Sequence, residues 1–147
     1  MTMFPEQIPG HIYSTVRAWR TRLVRYRLMG SKCNKCGEIW FPRREGVCSK
    51  CNSQDIIDYE CSHEGTVLHH WMNVFFMQNM GYGEYGLGRV PAVIKLDDGP
   101  CVLSEVIECP PQEVKDGMKV RMVVRKQKRE TNGNWMYGYK FVASSTN

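Results

Sequence analysis

The chain has 147 residues, of which 42% are hydrophobic and 24% charged, with a formal net charge of +5. That is enough apolar material for a packed core, which argues against a disordered chain. No apolar run approaches the roughly 18 residues of a membrane span, and the opening MTMFPEQIPG lacks the basic start and apolar stretch of a signal peptide.

Residues 11–23 have helical spacing. Ile12, Val16, Trp19 and Leu23 recur at steps of four, three and four, on one face of a short amphipathic helix. Arg17, Arg20 and Arg22 lie largely off that stripe, as a solvated side or a basic arm for a partner. So short a helix is marginal alone and needs something to pack on. Tyr26 to Lys32 alternates as a strand entering the first cysteine pair, and 56–60 reads as a strand leaving the cysteine segment. Five further strands follow: Thr66 to Phe76, Val90 to Leu96, Cys101 to Ile107, Lys119 to Arg129 and Trp135 to Val142. They are punctuated by Asp97-Asp98-Gly99-Pro100, by a loop from Pro110 to Gly117 with room for one helical turn, and by Asn132-Gly133-Asn134. Five strands in about 80 residues suit a small barrel of the OB type, whose closure removes exposed sheet edges.

The expected organisation is therefore mainly β. A helical arm and lead-in strand span 1–30, a zinc ribbon 31–62 and an OB-fold barrel 63–147. The ribbon rests on CNKCGEIWFPRREGVCSKC, which places Cys33, Cys36, Cys48 and Cys51 in two Cys-x-x-Cys knuckles. Four thiolates close a tetrahedral shell and leave no position for water, so the ion is structural. Zinc is the expected metal, and a rubredoxin-like iron site would use the same ligands. A cytoplasmic chain keeps its thiols reduced, so seven cysteines, an odd number, point to metal and away from a disulfide framework. The ion would fix the hairpin from Ile39 to Arg44 and present it to something else.

No Gly-x-Ser-x-Gly, His-Glu-x-x-His or phosphate-loop motif is present. Cys61, Cys101 and Cys109 are spare thiols near His63, His69 and His70 in sequence. Cys101 and the histidines lie on the expected barrel strands, where a buried inert thiol is the ordinary case. Asp97 and Asp98 are accounted for by their turn. The stretch Met80 to Gly88 carries four glycines. It reads as a mobile surface loop, or as a segment ordered by a partner through Tyr82 and Tyr85. Trp135, Tyr137, Tyr139 and Phe141 alternate on one face of the last strand, a core row or a stacking platform for bases.

The whole order of motifs resembles a family. A helix with Trp19 is followed by Tyr26-Arg27-Leu28, the first knuckle, Phe41-Pro42-Arg43, the second knuckle, Leu96 with Gly99-Pro100, Gly117-Met118-Lys119-Val120 and Phe141. This is similar to the family once named domain of unknown function thirty-five, over nearly the whole chain. The resemblance implies a rubredoxin-like zinc ribbon joined to a C-terminal OB-fold. It also implies a non-catalytic companion of a thiolase-superfamily enzyme acting on acyl-CoA, in thiolytic or Claisen-type chemistry or acyl transfer. The opening MTMFPEQIP and the stretches AVIKLDDGP, RMVVRK and YGYKFV are similar to members linked to phloroglucinol acyltransfer and anaerobic aromatic degradation. The insert from Gln78 to Arg89 is longer and richer in glycine than is usual for the family.

In that setting Arg43 and Arg44 on the ribbon hairpin, with Arg125 and Lys126 in the basic run of the fourth barrel strand, are candidates for coenzyme A phosphates or a partner surface. The alternative is a single-stranded nucleic-acid module. Against it, residues 61–147 hold ten Lys/Arg and nine Asp/Glu, whereas a strand-binding groove carries a clear basic excess.

Overall fold

The computed structural model describes residues 15–71, 90–129 and 135–144. Within the described residues the expected N-terminal helix is two short helices, α1 (Thr15–Arg20) and α2 (Arg22–Arg27), and its expected start from residue 11, with Ile12, lies outside them. The two helices are separated at Thr21, where φ −93° and ψ 4° leave helical geometry. Leu28 ends α2 in a left-handed conformation, its N–H donating to the Leu23 carbonyl, and its side chain is fully buried. Tyr26 and Arg27 therefore belong to a helix, and the strand expected from Tyr26 begins at Met29. The alternation over 26–32 was too short to outweigh a run of good helix formers. Val16 and Trp19, from the predicted apolar stripe, are exposed.

The ribbon is a three-stranded antiparallel sheet in the order β2-β1-β3, with β1 Met29–Cys33, β2 Ile39–Trp40 and β3 Ile56–Glu60. Gly30 sits where these strands crowd. An added Cβ would lie 2.2 Å from the Trp40 carbonyl oxygen and 2.9 Å from the Cys61 sulfur, so only a residue without a side chain fits.

Five strands close the barrel: β4 Glu64–His70, β5 Val90–Leu96, β6 Cys101–Ile107, β7 Lys119–Arg129 and β8 Trp135–Ala143. Their order is β4-β5-β6-β8-β7, with β7 returning to β4. The β6–β8 pair is parallel and the others antiparallel. This is the five-stranded Greek-key barrel of an OB-fold. β5, β6 and β7 begin and end where the sequence places them, because alternation and turn signals coincide there. β4 starts two residues earlier than expected, at Glu64, and the part of that expected strand beyond Trp71 lies outside the described residues.

Val67, Val90, Ile94, Leu96, Val106, Val120 and Phe141 fill the barrel interior. Each such side chain contributes about 1.5–3 kcal/mol on burial. Leu28, from the arm, and Cys61, from the ribbon exit, join the same core, with Ile39, Phe41 and Tyr59 packed against it. The α2 helix packs against β8 and β1. Arm, ribbon and barrel thus share one apolar interior.

Candidate metal centre and docking surfaces

The two knuckles repeat one backbone design. Cys33 N–H donates to the Glu38 carbonyl at 2.9 Å, and Gly37 N–H to the Cys33 carbonyl at 2.9 Å. In the second, Cys48 N–H donates to the Ser53 carbonyl at 2.8 Å, and Asn52 N–H to the Cys48 carbonyl at 2.9 Å. Gly37 and Asn52, each four residues after the first cysteine of its pair, take positive φ of 75° and 54°. Glycine and asparagine are the residues that tolerate this turn most readily.

The result brings Cys33, Cys36, Cys48 and Cys51 together, with their sulfurs all within 4.8 Å of one another. Cys33 and Cys51 sulfurs are 3.6 Å apart, and those of Cys36 and Cys48 are 3.5 Å apart. A tetrahedral ion with metal–sulfur bonds of about 2.3 Å requires edges of about 3.8 Å, so the sites fit. The Lys50 N–H points at the Cys48 sulfur at 3.4 Å. Burial pushes the Cys48 thiol up, but the N–H groups of Cys51 and Lys50 outweigh it and draw the thiol down to about 7. At Cys51 the Ser53 N–H favours the thiolate, yet burial and the three neighbouring sulfurs push it up to about 12. Four sulfurs this close do not all ionise unless a cation joins them. Outside the shell, Lys50 pairs with Glu38 at 3.1 Å, and the Asn34 side-chain amide donates to Asp55 at 2.8 Å.

The hairpin beyond β2 is presented less freely than expected. Ile39, Trp40 and Phe41 are half-buried, while Pro42 to Val47 are exposed. Ser31 anchors it: its hydroxyl donates to the Arg44 carbonyl at 2.9 Å and accepts from the Arg44 N–H at 2.8 Å. An open cleft of about 500 Å³ lies between hairpin and barrel, lined by Ile39 to Pro42, Arg44, Pro100 and Cys101.

The basic contact candidates separate. Arg43 is engaged by Asp58 at 2.8 Å, with Glu45 at 3.8 Å. Arg44 faces the cleft. Arg125 donates to Glu108 at 2.6 Å and holds that carboxyl below its ordinary range. Lys126 lies 4.7 Å over the Trp135 ring. A bulge interrupts the strand between Lys126 and Lys128. Tyr82 and Tyr85 lie outside the described residues. The row on β8 grades from exposed Trp135 and Tyr137 through half-buried Tyr139 to fully buried Phe141.

Cys101, expected to be buried on its strand, is exposed at the start of β6, while Cys61 is buried and Cys109 half-buried. Among the described residues no thiol is hydrogen-bonded to an imidazole. Burial, with the nearby Asp98 carboxylate, pushes Cys61 up to about 11, and burial raises Cys109 as well. The histidines turn to carboxylates: His63 to Glu60 at 3.3 Å, and His69 and His70 to Asp116 at 3.3 and 2.6 Å. Sequence reasoning missed the Asp116 clamp, since 46 residues separate His70 from Asp116.

Comparison with known proteins bears on this arrangement. Two family models match, described as "ChsH2, rubredoxin-like zinc ribbon domain" over residues 20–56 and "ChsH2, C-terminal OB-fold domain" over residues 84–125. A "DUF35 domain-containing scaffold protein" of Pyrococcus furiosus is 38% identical over 127 residues, covering 85% of this chain and 89% of the relative. The chain belongs to the DUF35 family. Another DUF35 scaffold protein, from Methanothermobacter thermautotrophicus, is 34% identical over 128 residues, 86% of this chain and 94% of the relative. A solved structure described as "Ltp2-ChsH2(DUF35) aldolase" shares the DUF35 fold, with TM-score 0.60 and 17% identity over 92% of this chain and 98% of the other. Among the described residues of this DUF35 chain, no helix is long and apolar enough to cross a membrane.

Proposed function

We propose that this DUF35 chain is a non-catalytic subunit of a thiolase-superfamily complex acting on acyl-CoA substrates. The observation that carries the reading is its likeness, over most of its length, to relatives named as scaffold proteins. The aldolase with a similar DUF35 fold supports it. The partner supplies the nucleophilic cysteine and the acid and base groups for thiolytic or Claisen-type carbon–carbon chemistry or acyl transfer, with aromatic-compound degradation as one setting.

This chain supplies docking surface. Cys33, Cys36, Cys48 and Cys51 hold zinc as a structural ion, worth on the order of 10 kcal/mol to a ribbon too small to fold by apolar burial alone. The ribbon then sets one wall of the cleft where Arg44 stands, a surface suited to the anionic end of an acyl-CoA at the shared interface. Seven cysteines, none of them in a disulfide, suit a reducing cytoplasm.

Reconstitution tests the reading. Acyl-CoA turnover by the co-purified thiolase-superfamily enzyme is measured with this chain and after its removal. Turnover falls when the chain is removed and returns when it is added back. Full turnover without the chain, or turnover by the chain alone, overturns the proposal.

A second reading rests on exposed Trp135 and Tyr137 with Lys126 over the indole, an arrangement on which single-stranded bases could stack. Tight oligonucleotide binding that weakens steeply with salt favours it over the first.

A further inference from the structure

The helical arm is uncovered where it is most apolar. Val16 is 56% exposed, Trp19 65% and Tyr26 40%. α1 and α2 have six residues each, well short of the roughly 12–15 at which an isolated helix holds in water. α2 gains support from β8 and β1, while α1 leans on α2. The aromatic side chains are nonetheless held in place. The Arg22 guanidinium lies 3.7 Å from the Trp19 ring centroid and donates to the Trp19 carbonyl at 2.8 Å. The Arg25 guanidinium lies 5.8 Å from the Tyr26 ring. Trp, Tyr and Arg are the side chains that dominate interface energetics, and these are already ordered, so little entropy is lost when they are covered.

The charges along the arm's own sequence are of one sign. Residues 7–37 hold seven Lys/Arg and no Asp/Glu. Arg20 and Arg27 are exposed and Arg22 is half-buried. Asp58 and Glu60, beside the end of the arm, are engaged by Arg43 and His63, so an apolar patch whose own helices carry only cations is complementary to an apolar groove rimmed by carboxylates.

We propose that α1 and α2 dock into an apolar groove with an acidic rim on the partner enzyme, with Trp19 as the anchor. The proposal rests on the reading that the chain is a subunit, and it names the surface used. A lipid surface fits less well. Two six-residue helices that turn at Thr21 do not build the long apolar face that an interfacial helix buries. Nucleic acid also fits less well, because β3 pairs Asp58 and Glu60 alongside Ser31 and Met29 and so places carboxylates next to the arm.

The test uses the full chain and the thiolase-superfamily enzyme that co-purifies with it. Affinity is measured by calorimetry from about 50 to about 300 mM salt for the wild type, Trp19→Ala and Arg20→Glu/Arg27→Glu. Metal content and thermal unfolding of each variant report that it is folded. Trp19→Ala is expected to weaken the complex about tenfold or more. The double reversal is expected to weaken it and flatten its salt dependence. Wild-type affinity in both variants overturns the arm as the docking surface and leaves the subunit reading standing. Failure of the wild type to form a complex overturns both. Trp19-dependent sedimentation with vesicles of phosphatidylcholine and phosphatidylglycerol, with enzyme affinity unchanged, overturns the proposal in favour of a lipid surface.

Discussion

Phe41 of the ribbon stands edge-on to Tyr139 of the barrel, with ring centroids 5.9 Å apart and planes at 81°. The positive edge of one ring meets the negative face of the other, the favoured geometry for an aromatic pair. Phe41 follows β2 directly and Tyr139 lies in the middle of β8, so this contact ties the hairpin between the two cysteine knuckles to the barrel wall.

Phe41→Ala should therefore loosen the joint and leave the metal site intact. The half-buried ring and its edge contact together suggest a loss of about 2 kcal/mol. Urea unfolding should show a lower midpoint, while metal stoichiometry by mass spectrometry stays at the wild-type value.

The metal shell makes a different prediction. Cys36→Ser or Cys51→Ser removes one ligand and opens the shell. Both variants should lose the ion, and with it the order of β1, β2 and β3. Hydrogen exchange is the discriminating measurement: protection should vanish at Cys33 and Cys48 N–H and persist along β5 and β6. A strong chelator should have the same effect on the wild type, reversed by added zinc.

Lys140 and Glu105 form an ion pair at 2.5 Å with side chains only 3% and 4% exposed. Removing one partner takes this contact from the other buried charge, at a cost of up to about 3–5 kcal/mol. Lys140→Met and Glu105→Met should each destabilise strongly. The double variant should recover most of the loss, because the desolvation penalty of both charges disappears together. A double-mutant cycle by denaturant unfolding measures this.

The Asp116 clamp predicts a pH effect. His70, and after it His69, hold the Asp116 carboxyl below its ordinary range. A carboxyl whose pKa is lower folded than unfolded contributes its stability fully above the unfolded value of about 3.9. That contribution is lost as pH falls through the depressed folded value. Melting temperatures of the wild type and Asp116→Asn should differ near pH 6 and converge toward pH 2–3. A constant difference across that range would contradict the clamp.

How much was legible in the sequence varied with the range of the forces involved. The four-cysteine cluster, the turn at Asp97 to Pro100, and the bounds of β5, β6 and β7 were readable because ligand spacing, alternation and turn residues act within a few positions. The end of α2 was misread, because Leu28 leaves the helix in a left-handed turn in order to bury its side chain in a core shared with distant strands. Arg43 and Arg125 looked alike as free cations, yet each is claimed by a carboxylate, Asp58 or Glu108, from another segment.

By itself the amino-acid order determined the four-cysteine cluster, the mainly β class and the succession of barrel strands, since each is written in local chemistry. The tertiary structure decided which charges are used up, which pair is buried, and that Val16, Trp19 and Tyr26 are left facing out. Those outcomes depend on which surfaces meet, and residues 46 or more positions apart, such as Asp116 and His70, meet only after the barrel closes.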